Sequence, residues 1–288
     1  MKADDLFQTL PGLEFFWSKL KKVASFKYDD APMPDVVYEL HAKWIKWLHD
    51  YYLRVEHVGH IEEALHAARN EHVILISNHS IALEALLIGY YFLERGAGKI
   101  GALVYPEAFK LPIVREFFRS GQCVPISIDA GVETLKKRHV LLFPEGMDFI
   151  NGMINPNRIP KFHKGFLRIA KQYLQETKKK SVTIIPIGHA GVEHTLKLWI
   201  LKNEAIIDRV VKPFAKYPFL VFPKLPFLMP SKVIVNWGMP LKITLKDLKT
   251  DGNIAQKANA YRATMLSLRA RAQKVREMRG NFRKSEDL

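Results

Sequence analysis

Three histidines in this chain stand five positions before a glutamate, a spacing that allows acid–base chemistry when the fold brings the two side chains together. These pairs are His57 with Glu62, His66 with Glu71, and His79 with Glu84. Because 11 histidines and 29 acidic residues are spread over 288 positions, chance alone produces about one such pair. The spacing by itself is therefore weak, and the surrounding residues must separate the three.

The pair His79 and Glu84 is distinguished by following a continuous apolar run and immediately preceding a helical pattern. Ser80, between them, is a residue type that caps helices. Side chains five apart on one helix point about 140° away from each other, so the two can meet only if His79 lies outside the helix. Glu84 could then hold one imidazole nitrogen while the other takes a proton from an alcohol. A purely structural role for His79 is the alternative at this point.

A second candidate segment is an apolar strand that runs from Val140 into a Pro-Glu-Gly turn. A carboxylate at a strand end, beside a glycine, stands where α/β sheets build ligand sites, although an ordinary turn has the same residues. Basic groups then precede a predicted helix, where they suit a phosphate. The candidate substrate-binding residues are Asn78, Phe143, Pro144, Glu145, Gly146, Lys161, Lys164 and Arg168, together with Pro186 at the end of another apolar strand.

Short β-rich runs alternate with helical patterns from about residue 53 onwards. The strands are predicted at His72–Ser77, Gly101–Tyr105, Cys123–Ile128, Val140–Phe143, Val182–Ile187 and Lys232–Asn236. The helices are predicted near 80–95, 107–119, 130–138 and 163–178. This alternation predicts an α/β layered domain over residues 54–288, with a mixed, mostly parallel sheet flanked by helices.

The two ends of the chain have different patterns. An amphipathic helix pair is predicted over residues 1–53, and both a helix lying in a lipid interface and a packed helical hairpin fit its aromatics and lysines. A proline-rich apolar stretch at 213–230 cannot form a regular helix or a central strand, and if exposed it would mark a membrane or acyl-chain contact. The last helix, near 254–278, combines an apolar stripe with a basic outer face.

The net charge of +15 implies an anionic partner. Nucleic acid is not the expected one, because the sequence has no zinc spacing, RNP-type aromatic pattern or glycine-clamp loop. It also has neither a run of 18 apolar residues nor a secretory signal pattern, and its single cysteine, Cys123, indicates a reducing cytosol. We therefore expect a cytoplasmic protein that binds an anionic membrane surface peripherally.

Together the segments resemble the glycerolipid acyltransferases typified by the 1-acylglycerol-3-phosphate acyltransferases. That family carries Asn-His-x4-Asp, a glycine-rich strand with an arginine, Phe-Pro-Glu-Gly, and a strand ending in an apolar-Pro-apolar motif. Asn78, His79 and Glu84 match the first motif, residues 143–146 the third and residues 185–187 the fourth. The resemblance implies that a lipid hydroxyl attacks an acyl-CoA or acyl-carrier-protein thioester directly, with His79 as general base and Glu84 as its orienting partner. It implies neither a cofactor nor a metal, and its membrane-lying helix pair corresponds to residues 10–53.

The chain departs from the family at the groups expected to hold the acceptor's phosphate. Ser127 or Asp129, depending on register, replaces the arginine of the second motif, and Met147 and Asp148 stand where the family often has Thr-Arg. The acidic partner of the histidine is also Glu rather than the usual Asp. A lysophospholipid or similar glycerolipid is the expected acceptor, and a phosphate monoester should bind poorly because an aspartate repels it. A non-catalytic lipid-binding module of the same fold is the alternative function.

Overall fold

The computed structural model describes residues 43–80, 83–106, 109, 115, 118–119, 121–146, 160–195, 198–201, 220–223 and 229–280. The strands are β1 (Glu56–Gly59), β2 (Ile74–Ser77), β3 (Ile100–Val104), β4 (Val124–Pro125), β5 (His139–Leu142), β6 (Val182–Ala190), β7 (Leu198–Leu201), β8 (Leu220–Pro223), β9 (Ile234–Trp237) and β10 (Leu241–Ile243). The helices are α1 (Ile61–Asn70), α2 (Leu83–Glu94), α3 (Ile128–Lys137), α4 (Gly165–Thr177) and α5 (Asp251–Met278). A π-helical turn spans Leu48–Tyr52, and 3₁₀ turns span Val192–His194 and Lys246–Leu248.

The central sheet has the strand order β1-β9-β6-β2-β5-β3-β4, and β10 also pairs with β6. Its neighbouring strands are parallel except where β9 and β10 pair with β6, so the predicted mixed, mostly parallel sheet is confirmed. The strands β2, β5 and β6 are buried along their whole length. Helices cover both faces of such a sheet, which is why these strands are continuous apolar runs in the sequence. The strands β7 and β8 form a separate antiparallel pair.

Helices divide between the two faces of this sheet. Leu75 and Leu141 contribute to a core shared with α1 and α2, whereas Ile74 and Val140 contribute to a core shared with α3, α4 and α5. The alternation follows from the pleat, which points successive side chains to opposite faces. Since β2 and β5 are parallel neighbours, their carboxyl ends emerge side by side between the two helical layers. The candidate site residues follow directly from these two ends.

Most predicted elements are present with shifted ends. The strand predicted at Cys123–Ile128 is only Val124–Pro125, because Ser127 accepts a hydrogen bond from the Ala130 N–H (3.0 Å) and begins α3 there. The elements β1, α1, β7, β8 and β10 were not predicted. The helix predicted at 107–119 and the proline-rich stretch at 213–230 lie largely outside the described residues.

The C-terminal helix α5 packs along β6, and the predicted apolar stripe from Ile254 to Ala272 is buried. Contact is closest at Gly188, where a Cβ atom would lie 2.5 Å from the backbone nitrogen of Arg269. The side-chain amide of Asn236 donates a hydrogen bond to the Leu268 carbonyl (3.0 Å) and holds the helix from the neighbouring strand. These contacts place Arg269 beside the end of β6 that adjoins the candidate site.

The helical segment before β1, residues 43–52, packs on the sheet domain through one side. Ile45 and Leu48 are buried in the core shared with α1 and α2, whereas Trp44, Trp47 and Tyr51 are 49%, 52% and 70% exposed. The apolar side chains of this segment are thus divided between the core and an exposed aromatic face. The rest of the predicted helix pair lies outside the described residues. None of the helices in the described ranges combines the length and apolar character needed to cross a bilayer.

Candidate active site

His79 and Glu84 meet across the turn that joins β2 to α2. His79 follows the end of β2, and Glu84 lies in the first turn of α2. The Nδ1 atom of His79 is hydrogen-bonded to the Glu84 carboxylate. Because a carboxylate accepts, Nδ1 carries the proton and Nε2 is the basic nitrogen. The His79 side chain is 17% exposed, so a substrate can reach the ring.

Glu84 is buried, with 1% of its surface exposed. Burial raises the pKa of its carboxyl group, but the charge and hydrogen bond of His79 and the N–H of Ser80 (2.8 Å) outweigh burial and lower the pKa to about 2. The carboxylate therefore stays ionised at neutral pH and can stabilise an imidazolium. The Glu84 side chain thus binds the Ser80 backbone, whereas a cap by the Ser80 side chain stays a prediction because residues 81–82 lie outside the described ranges.

The turn after β5 supplies a wall and a second carboxyl group. The Phe143 ring stacks on the His79 ring, with centroids 4.3 Å apart and planes 16° from parallel. Glu145, 1% exposed, accepts a hydrogen bond from the His79 N–H (3.2 Å). Burial raises the pKa of Glu145 to about 7, against the lowering effects of His79 and of the charge on Arg269. The structure thus brings Phe143 and Glu145 to the turn that carries His79.

Gly146 allows the loop before α4 to close onto this turn. Its φ is +55°, and a Cβ atom there would lie 2.8 Å from the His163 ring, while the His163 N–H donates to the Pro144 carbonyl (2.7 Å). The basic residues of this segment are Lys161 and Arg168, which are exposed, and Lys164, which immediately precedes α4. The cluster predicted to bind phosphate is therefore attached directly to the Pro-Glu-Gly turn.

Pro186 lies within the sheet, in register with Ile76 of β2. Its carbonyl accepts a hydrogen bond from the Gly238 N–H (2.8 Å), in the gap between the end of β9 and the start of β10. A proline has no N–H to donate, so this gap in the strand pairing accommodates it without the loss of a ladder hydrogen bond. A substrate-binding role for Pro186 remains a prediction.

Asn78 is fully buried and contacts His189, a residue that sequence reasoning missed. The His189 N–H donates to Asn78 Oδ1 (2.8 Å), and Asn78 Nδ2 donates to the His189 carbonyl (3.3 Å). Both ends of the amide predicted to bind substrate are therefore occupied by the backbone of β6. The two residues are 111 positions apart, so only the pairing of β2 with β6 could have indicated the contact.

The residues at the position of the family's second-motif arginine take part in the fold. Ser127 caps α3, and Asp129 accepts a hydrogen bond from the Gln172 side chain on α4 (2.9 Å). A cation missed by sequence reasoning is Arg269, whose charge lowers the pKa of Glu145. Its helix was predicted, but which basic residue would face the site depends on how α5 docks. Residues 147–148 lie outside the described ranges.

The other two histidine–glutamate pairs do not come together. His57 accepts a hydrogen bond from Trp237 Nε1 (3.0 Å), His66 contacts Asn70 on its own helix, and Glu71 accepts from the Thr183 hydroxyl. His57 and Glu62 also span a strand–helix junction, but the His57 ring packs against Tyr91 and Trp237 whereas Glu62 is exposed on α1. His66 lies on α1 and Glu71 immediately follows that helix, where side chains five apart point away from each other. Over the described residues no group of three or more His, Cys, Asp or Glu side chains could hold a metal ion.

Comparison with known proteins places this site in a family. Residues 58–190 match the protein-family model described as Acyltransferase. Among solved structures, the chain is similar to the 1-acyl-sn-glycerophosphate (LPA) acyltransferase PlsC from Thermotoga maritima, at 17% identity and a TM-score of 0.48, over 89% of this chain and 90% of that chain. A search of curated proteins found no match.

The sheet and the His79 turn therefore form an acyltransferase domain. The residues that match the family model run from β1 to the end of β6 and include the turns after β2 and β5. The family match agrees with the predicted acyltransferase activity and identifies this part of the chain as an acyltransferase domain.

Proposed function

We propose that this enzyme transfers a fatty acyl chain from acyl-CoA or acyl-carrier protein to a hydroxyl of a lysophospholipid or similar glycerolipid. The observation that carries the proposal is the hydrogen bond between His79 Nδ1 and the buried, ionised Glu84. That bond leaves Nε2 as the nitrogen without a proton on an accessible ring, which supports a role as general base. A neutral imidazole held by a carboxylate in this way is suited to take a proton from an alcohol.

In the proposed step, His79 Nε2 takes the proton of the acceptor hydroxyl while the hydroxyl oxygen attacks the thioester carbonyl carbon. A C–O bond forms, and the C–S bond breaks as the tetrahedral intermediate collapses. The proton then passes from the imidazolium to the leaving sulfur, so the products are an ester and a free thiol. Glu84 stabilises the imidazolium between the two proton transfers, and no acyl-enzyme forms.

The proposed acceptor carries no phosphate monoester. Ser127 and Asp129 form hydrogen bonds within the protein. Neither provides the paired N–H donors with which arginine binds a dianionic phosphate. Glu145 adds a carboxyl group with a pKa of about 7 beside His79, and its ionised form repels such a headgroup. A lysophospholipid with a diester headgroup, or a neutral lipid alcohol, avoids both difficulties.

The donor's phosphates are proposed to bind the basic segment before α4. Lys161, Lys164 and Arg168 lie around the N-terminus of that helix, where backbone N–H groups and the helix dipole favour anions. The hydrogen bond from His163 to Pro144 ties the segment to the catalytic turn. A thioester whose phosphates bind there would extend its acyl end toward His79.

We further propose that the enzyme acts while bound peripherally to an anionic bilayer. The exposed aromatic face of Trp44, Trp47 and Tyr51 supports this, since aromatic side chains favour the lipid interface. The net charge of +15 adds an electrostatic attraction, in which each lysine or arginine near the surface contributes about 1 kcal/mol. Vesicle sedimentation should therefore show stronger binding to anionic than to neutral vesicles, weakened by salt. Equal, salt-independent binding to both would contradict the electrostatic part.

The direct test incubates the full-length protein with radiolabelled acyl-CoA or acyl-carrier protein and a panel of lipid acceptors in vesicles. We expect labelled diacyl product, with a higher kcat/KM for lysophosphatidylcholine than for lysophosphatidic acid. A clear preference for lysophosphatidic acid would overturn the acceptor assignment and identify the 161–168 segment as the acceptor's phosphate site. No transfer to any hydroxyl acceptor would overturn the proposal itself.

A further inference from the structure

His189 lies next to the catalytic turn and takes no part in the proton transfers proposed above. It is fully buried near the end of β6, and β6 pairs in parallel with β2, the strand that leads to His79. Its backbone N–H and carbonyl bind the Asn78 side chain at 2.8 and 3.3 Å. Its ring adds a third contact, with Nε2 2.6 Å from the Asn78 carbonyl oxygen.

This third contact determines the protonation state of the His189 ring. A carbonyl oxygen can only accept, so Nε2 must carry a proton. Burial lowers the pKa of His189, against the charges of Glu84 and Glu193, which raise it. The ring is therefore neutral, with a lone pair on Nδ1, an atom that has no hydrogen-bond partner among the described residues. Protonation would create a buried N–H without an acceptor there.

We propose that His189 is a positioning residue for His79. Asn78 immediately precedes His79, and His189 holds both its side-chain amide and its backbone carbonyl. The peptide bond between Asn78 and His79 is thereby fixed to the sheet, and with it the position from which His79 reaches Glu84. The stacked Phe143 ring limits the tilt of the imidazole, but stacking alone allows a ring to slide within its plane. This inference rests on the function proposed above, because it assigns His189 a role in that reaction.

Two amide substitutions separate positioning from simple burial. In His189→Gln the side-chain NH₂ group can reach the place of Nε2 and still donate to the Asn78 carbonyl. In His189→Asn the NH₂ group stands near the place of Nδ1 and cannot reach that carbonyl. Both variants bury a neutral amide, so they differ mainly in the hydrogen bond that the proposal invokes.

His139 provides a matched control. It is also buried, its Nε2 also lies 2.6 Å from a carbonyl oxygen, that of Ala97, and its Nδ1 accepts from the Val73 N–H. His139 begins β5, and its partners Ala97 and Val73 precede β3 and β2, at the opposite end of the sheet from the His79 turn. His139→Gln and His139→Asn should therefore change stability without changing kcat for the folded fraction.

The experiment measures kcat and KM for acyl transfer, the urea midpoint, and the chemical shifts of the His79 ring protons. These chemical shifts depend on the position of the His79 ring because the aromatic Phe143 ring is stacked on it. We expect His189→Asn to lose about 100-fold in kcat, as small misplacements of catalytic groups do, with little change in KM and with shifted His79 resonances. His189→Gln should recover most of the rate and the wild-type resonances. A wild type that transfers no acyl group would contradict the proposed function rather than this inference, since the His79 resonances can still be compared.

The inference is overturned if the Gln and Asn variants behave alike. It is also overturned if their activity loss only follows the fraction unfolded, or if the His79 resonances are unchanged in His189→Asn. Each of these results would make His189 a core residue with no influence on the geometry of His79.

Discussion

Glu145 makes folding stability depend on pH in a direction that the structure determines. The carboxyl group is 1% exposed, and burial raises its pKa from 4.5 to about 7. Because the folded pKa lies above the unfolded one, the unfolded chain loses its proton first as pH rises. The contribution of Glu145 to stability is therefore complete below pH 4.5 and is lost as pH rises through about 7.

Glu145→Gln isolates this effect. The amide keeps an oxygen that can accept the His79 N–H, but it does not titrate. The gap between 4.5 and about 7, at about 1.4 kcal/mol for each pKa unit, amounts to about 3 kcal/mol. The free energy of unfolding of the variant should therefore increase relative to that of wild type by about 3 kcal/mol between pH 4.5 and pH 8, because only wild type loses stability over this range.

Urea unfolding followed by tryptophan fluorescence across this pH range measures the difference directly. Glu84→Gln is the control of opposite sign, because the pKa of Glu84 is lowered to about 2. The stability contributed by the Glu84 carboxylate is present above pH 4.5 and is lost as pH falls toward about 2. The difference in unfolding free energy between wild type and Glu84→Gln should therefore become smaller at low pH. A difference between Glu145→Gln and wild type that stays constant from pH 4.5 to pH 8 would refute the assignment of a buried, raised-pKa carboxyl group.

Two further predictions concern packing and membrane binding. Gly188→Ala should lower the free energy of unfolding by about 1–3 kcal/mol, because its Cβ atom would meet the backbone of α5. Gly89→Ala should instead stabilise α2 by about 0.5–1 kcal/mol, because nothing lies within 4 Å of the added Cβ atom. Equal urea midpoints for the two variants would contradict the docking of α5. Replacing both Trp44 and Trp47 by Ser should weaken vesicle sedimentation while leaving the urea midpoint nearly unchanged, and undiminished sedimentation would exclude this face from the membrane contact.

The contact between His79 and Glu84 was predictable because its determinants are local. The apolar run before His79 predicts a buried strand, the pattern after Ser80 predicts a helix, and the bend between them is the one geometry in which residues five apart can meet. The Phe143–Gly146 turn was predictable for the same reason. In both cases a strand end positions a side chain without help from distant segments.

The positions of His189, Arg269 and Pro186 relative to the site could not be predicted, because they depend on strand register and helix docking. His189 reaches Asn78 only through the pairing of β6 with β2. Arg269 is placed by the close approach of α5 to Gly188. The gap that accommodates Pro186 exists because β9 and β10 share one edge of β6. Contacts between segments so far apart leave no periodic pattern in the sequence.

The central claim is that His79 is the general base for acyl transfer, and one measurement tests it most directly. kcat should be compared for wild type, His79→Ala and His66→Ala, with acyl-CoA and the best lipid acceptor. His66 is the matched control because it has the same spacing to a glutamate but is exposed on α1. We predict that His79→Ala lowers kcat of the folded protein by about 100- to 10,000-fold, the range typical of a lost general base, and that His66→Ala keeps the wild-type rate. The urea midpoint of His79→Ala should also fall, because the buried Glu84 carboxylate loses its partner, so kcat is compared where both variants are folded. A near-normal rate for His79→Ala would contradict the mechanism.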